Sequence, residues 1–163
     1  MSRTSWIILG VVLFFLQASV IPLWGNGVWQ PDLWLVAIVI SSLIYDRQAV
    51  FFLALAGGLL QDIVIGNFFG LHLFPYMVVA FLGIWWGRER YNRQWFISMA
   101  AVMGGTAVFT IAAAFLIFIG ADSLRFGSYL LHVGIPLMMM NGTAALPMHY
   151  VLWELKREKE QRW

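Results

Sequence analysis

The chain contains no cysteine in 163 residues, which excludes disulfides and thiolate metal sites. Charge is nearly as scarce: Asp, Glu, Lys and Arg supply 11% of the residues, against 61% hydrophobic. Four stretches of 25 to 28 residues, 4–31, 63–87, 94–121 and 126–153, have no charged side chain at all. A soluble domain of this length has too little interior to hide so much apolar surface. Such runs are what a polytopic membrane protein requires, because a hydrocarbon core about 30 Å thick takes roughly 20 apolar residues per helix.

Two shorter charge-free runs, 33–45 and 48–61, hold 13 and 14 residues. Each spans if Asp32 or Asp62 is drawn into the membrane border. The chain is therefore expected to be all-α, a single domain 1–163 with six transmembrane helices near 6–24, 29–45, 48–65, 69–87, 94–119 and 129–153. A short charged tail, 154–163, extends the last helix. The connectors leave no room for a soluble domain.

The positions of the basic residues orient this bundle. Arg3, Arg47, Arg88, Arg90, Arg93, Lys156, Arg157, Lys159 and Arg162 fall on one side, and only Arg125 on the other. The positive-inside rule makes the rich side cytoplasmic. Both termini are then inside, as an even number of spans demands. Trp24, Trp29 and Trp34 near the outer border, and Trp6, Trp85, Trp86, Trp95 and Trp153 near the inner one, read as aromatic belts. The first run starts like a signal peptide after Arg3, but it is long for an h-region and no A-x-A-like site closes it, so it is expected to stay as a span.

Catalytic patterns are missing. His72, His132 and His149 lack the H-E-x-x-H spacing, no serine or lysine forms a nucleophile motif, and there is no glycine-rich phosphate loop. No enzyme activity, cofactor, metal or nucleic-acid partner is expected. No repeat of 20–50 residues and no inverted repeat argues for a transporter.

Small residues occur where they let helices approach closely. Ala54 and Gly58 lie four apart in the third span, and Ala100/Gly104 and Ala101/Gly105 do so in the fifth. Lipid offers no hydrophobic drive between helices, so such small faces supply association, within the bundle or with a partner. The sixth span carries Pro136 and Pro147, each expected to bend it, with Met138, Met139 and Met140 between them as an adaptable surface or a gap filler.

The chemically informative residue is Asp62, about 21 Å along the third span at 1.5 Å per residue and so within the hydrocarbon. An ionised carboxylate there is costly, so it should face the bundle and find a partner, or be protonated. Asp32, Gln61, Asn67 and His72 lie at similar depth, forming a polar cluster toward the outer leaflet. Three readings stand: Asp62 caps backbone N–H groups at the start of the fourth helix; the cluster is an ion or ligand pocket; or it is a proton relay.

The stretch Gly57-Gly-Leu-Leu-Gln-Asp62-Ile-Val-Ile-Gly66-Asn-Phe-Phe-Gly70-Leu-His-Leu-Phe-Pro-Tyr76, continuing to Gly83, resembles the central signature of the MreD family, the bacterial rod shape-determining membrane proteins. Pro31-Asp32-Leu33 is similar to the family's second landmark. The resemblance implies a non-enzymatic scaffold in the bacterial inner membrane, within the elongation machinery that directs lateral peptidoglycan synthesis and cell shape. It implies binding to the transmembrane helix of MreC, beside RodA, a class B penicillin-binding protein and MreB. It makes Asp62, Gly58, Gly66 and Gly70 fold-defining positions, with Asp32 near them, and Gly57 joins these glycines as a turn and packing residue. The family is also similar in architecture to the substrate-binding subunits of energy-coupling-factor vitamin transporters, so uptake of a small molecule is the rival function. Those subunits dock through an A-x-x-x-A pattern on the first helix, where this chain has Ala18 alone. A small ion or proton channel is a third class, and its polar helix faces would have only Asn141 and Thr143 to draw on.

Overall fold

The computed structural model describes residues 3–24, 29–65, 69–87, 94–120 and 126–160. Among them the chain forms six helical rods and no strand. Helix α1 runs as Arg3–Phe15, a π turn Leu16–Val20, and Ile21–Trp24. Helices α2, Leu33–Ile44, α3, Arg47–Ile65, α4, Leu73–Gly87, and α5, Trp95–Gly120, follow. Helix α6 runs as Phe126–Tyr129, a second π turn Leu130–Gly134, and Ile135–Glu160. Four of the rods are long and apolar enough to cross a membrane. The all-helical fold is that of a polytopic membrane protein.

Two rods start later than the hydropathy suggests. Helix α2 begins at Leu33 rather than at residue 29, because Pro31 and the N-cap Asp32, in extended backbone, precede it. Helix α4 begins at Leu73 rather than at 69, because Gly70 takes a positive φ of 100°, a turn conformation open to glycine. At about 18 and 22 Å, both fall short of the hydrocarbon thickness. Their N-terminal ends lie against the bundle, with Asp32 buried and Leu33 and Leu73 half-buried, so their backbone donors need partners there.

Helix α2 is the central post. Nine of its 12 residues are buried, and it packs against α3, α4, α5 and α6. This differs from the belt role read for Trp34, whose side chain is 1% exposed. The reason is Gly57 on α3, where a Cβ would come 2.5 Å from the indole, so the missing side chain makes the seat for the ring. Gly58 does the same for the start of α4, since a Cβ there would stand 2.5 Å from Leu73 Cα. Helix α1 is peripheral, with 11% of its apolar window buried, against 28–39% for the other three long spans.

The π turns explain how two prolines are accommodated. Pro22 and Pro136 each follow a π turn by one isoleucine. In each turn the isoleucine N–H reaches back five residues, Ile21 to Leu16 O and Ile135 to Leu130 O. The widened turn relieves the clash between a proline ring and the carbonyl four residues before it. Pro147 stands inside Ile135–Glu160 without such a turn.

Candidate functional site: a polar lock at two sunken helix starts

Asp62 is buried, and its carboxylate gathers the start of α4. Oδ2 accepts the Gly70 and Leu73 backbone N–H groups at 2.8 and 3.2 Å, and Oδ1 accepts the His72 N–H at 2.9 Å. His72 Nδ1 lies 3.1 Å from the same Oδ1, within hydrogen-bonding distance. The first N–H groups of a helix have no partner within it, and a negative charge at that end also meets the favourable end of the helix dipole. Asp62, one helix back in the chain, fills both needs.

Asp32 serves α2 in a parallel way. Its Oδ1 accepts the Leu35 N–H at 3.0 Å, an ordinary N-cap bond, while the Tyr76 hydroxyl reaches Oδ1 and Oδ2 at 2.7 and 2.6 Å. The Asp32 N–H is itself donated to Asn141 Oδ1 at 2.7 Å, and Asn141 Nδ2 donates to Thr106 Oγ1 at 3.0 Å. From the other side Gln17, in the π turn of α1, accepts the Leu33 N–H at 2.9 Å and donates to Pro31 O at 3.2 Å.

Tyr76 joins the two centres. It sits one turn past His72 on α4, its ring edge-on to the imidazole at 6.1 Å and against Phe109 at 5.4 Å. Gln61, buried on α3 beside Asp62, hydrogen bonds the Tyr76 side chain. All six helices thus contribute a polar group: Gln17, Asp32, Gln61 with Asp62, His72 with Tyr76, Thr106, and Asn141.

Of the polar residues singled out in the sequence, Asp32, Gln61, Asp62 and His72 converge here. Asn67 and Gly66 lie outside the described residues, as do Arg88, Arg90, Arg93, Arg125 and Arg162. Tyr76, Asn141, Thr106 and Gln17 were not read as members. A lone amide within an apolar span was the available signal for Gln17 and Asn141, since in lipid it must find a partner. The other histidines belong elsewhere: His149 is buried against Ser98 at 2.8 Å, and His132 is exposed beside Ser128.

The small residues divide. Ala54 is fully buried and Gly58 meets Leu73, so this pair packs helices inside the bundle and offers nothing to a partner. Gly105 is likewise closed by Val39, and Ala101 packs on the core. Ala100 and Gly104 face outward, with open space at Gly104. Met139 is exposed, and Met138 and Met140 are half-buried.

Chemically the cluster is a set of caps and ties. The Asp62 side chain has no exposed surface, and both its oxygens are engaged. Among the described residues, no three His, Asp or Glu side chains gather to hold a metal.

Fold and cluster together define a helical membrane protein whose interior polar groups anchor buried helix ends. The sequence matches the family model described as rod shape-determining protein MreD over residues 2–159, and the chain belongs to that family. It is a rod shape-determining membrane protein, of a family known for structure rather than for catalysis. Neither the curated proteins nor the solved structures searched gave a match.

Proposed function

We propose that this chain is a non-catalytic scaffold of the cell-elongation machinery, a multi-pass protein of the bacterial inner membrane with both termini cytoplasmic. It holds the transmembrane helix of MreC and, through that complex, helps organise RodA, a class B penicillin-binding protein and MreB during lateral peptidoglycan synthesis. Family membership over nearly the whole chain supports the shape role. The observation that carries the scaffold reading is the use made of the two buried carboxylates. Asp32 and Asp62 spend their oxygens on helix starts and on Tyr76 and His72, which stiffens a bundle and leaves little to grip cargo.

The test is complementation in a rod-shaped bacterium depleted of its own MreD. The chain should restore rod width and the distribution of labelled MreC, and Asp62→Leu should restore neither. Restored rods with MreC still dispersed would count against the scaffold. So would a variant that keeps MreC in place while blocking uptake of a small molecule.

A further inference from the structure

The helices of this bundle are not held alike. Helices α5 and α6 are fastened at matched levels along their antiparallel seam. Ser98 meets His149 at 2.8 Å, and eight residues along each helix Thr106 meets Asn141 at 3.0 Å. Further out, a Cβ on Gly134 would stand 2.9 Å from Thr110. Such a seam has no freedom to slide or part.

Helix α1 is fastened near its two ends. At the cytoplasmic end Trp6 packs edge-on against Tyr45 at 5.0 Å, and Tyr45 donates its hydroxyl to Leu152 O on α6. Eleven residues on, about 16 Å along the helix, Gln17 accepts the Leu33 N–H and donates to Pro31 O. Between these points Leu9 and Leu13 turn to the core, while Ile7, Ile8, Val11, Val12 and Phe15 are exposed. On the side of α3 the helix is parted from its neighbour by a space of about 680 Å³, lined by Val11 and Phe14 on one wall and Phe52, Ala56 and Leu60 on the other.

In lipid, apolar surface gains nothing by leaving water, so the position of a helix rests on packing and on interhelical hydrogen bonds. Moving α1 toward α3 exchanges lipid contacts for helix contacts, and Gly10, Ala49 and Ala56 leave room for the backbones to approach. What opposes the movement is the Gln17 pair of bonds at the start of α2. Gln17 is the member that α1 supplies to the polar lock, and it sits in the π turn Leu16–Val20, a widened turn of the kind found where helices adjust. The other members tie α2 to α6 to one another without it.

We propose that α1 is a hinged arm on a rigid α2–α6 body, pivoting at Trp6–Tyr45, with Gln17 as the latch that keeps its outer part away from α3. The bundle then has two outlines to present within the membrane, set by one pair of hydrogen bonds. The chain has no cysteine, so paired nitroxide labels can be placed at will in protein reconstituted into phosphatidylethanolamine–phosphatidylglycerol vesicles. Phe15→Cys with Leu55→Cys, both at exposed side chains, reports the arm, and Leu55→Cys with Phe118→Cys reports the body. Distances between the labels are read by double electron–electron resonance. Gln17→Leu should raise the population of a shorter Phe15–Leu55 separation about tenfold, the worth of two interhelical hydrogen bonds. The Leu55–Phe118 separation should stay single and unchanged. A Phe15–Leu55 distribution that Gln17→Leu leaves as it was overturns the proposal. So does a matching change at Leu55–Phe118, since the whole bundle then loosens. A Gln17→Leu chain that no longer folds overturns it too, because α1 is then part of the rigid body.

Discussion

Replacing Asp62 by leucine tests the polar lock where it is most concentrated. The carboxyl group accepts three backbone N–H groups at the start of α4, and His72 Nδ1 lies 3.1 Å from it. Leucine keeps the bulk and removes every acceptor. A buried donor left unpaired costs about 1–3 kcal/mol, so three backbone donors together cost on the order of 5 kcal/mol. That equals the whole stability of many domains, about 5–15 kcal/mol. Asp62→Asn keeps one carbonyl oxygen and turns an N–H₂ toward the donors of the other, for a cost of about 2 kcal/mol. At roughly 2–4 °C per kcal/mol for a chain of this size, the asparagine variant should melt about 4–8 °C lower. The assay is thermal unfolding in detergent followed by tryptophan fluorescence, with size exclusion to measure folded yield. The leucine variant should be recovered poorly or as aggregate. A monodisperse Asp62→Leu protein melting within about 2 °C of the parent refutes the capping argument.

Tyr76→Phe removes the hydroxyl that both Asp32 oxygens accept and should cost about 1.5–3 kcal/mol in detergent unfolding, the range for a bond to a charged group. The loss should shrink when Asp32→Asn is already present, as a double-mutant cycle would measure. Asn141→Leu orphans the Asp32 N–H and should lower stability by about 1–3 kcal/mol, whereas a loss confined to channel-like conductance, with no change in melting, would speak against this role. Gly58→Ala puts a methyl against Leu73 Cα and should cost about 1–3 kcal/mol, while Gly104→Ala, into open space on a helix, should be neutral or stabilising by up to about 1 kcal/mol in the same melts.

Helix number and type were legible in the sequence because lipid demands long apolar runs, which mark four of the six helices directly. The runs of 13 and 14 residues at α2 and α3 count once Asp32 and Asp62 are drawn in. The lengths of α2 and α4 were not. Hydropathy counts apolar residues and cannot tell a helix surrounded by lipid from one, like α2, surrounded by protein. Asp32 and Asp62 stood out because a charge in an apolar run must be explained. Their partners did not, since Tyr76, Thr106 and Asn141 are unremarkable residues in isolation and become a set only when α2, α4, α5 and α6 pack together. The seat of Trp34 was hidden for the same reason, because Gly57 reads equally well as a turn residue or as a hole for a ring. The proline effects were half visible: a disturbance at Pro136 follows from its missing N–H, but the π turn that absorbs it depends on how the helix repays that bond.

The decisive measurement is quantitative co-purification of the intact chain with MreC from membranes, with native mass spectrometry of the eluted species. A complex of fixed stoichiometry that contains MreC and no bound metabolite is the predicted outcome. A chain that elutes without MreC while carrying a small soluble molecule would contradict it.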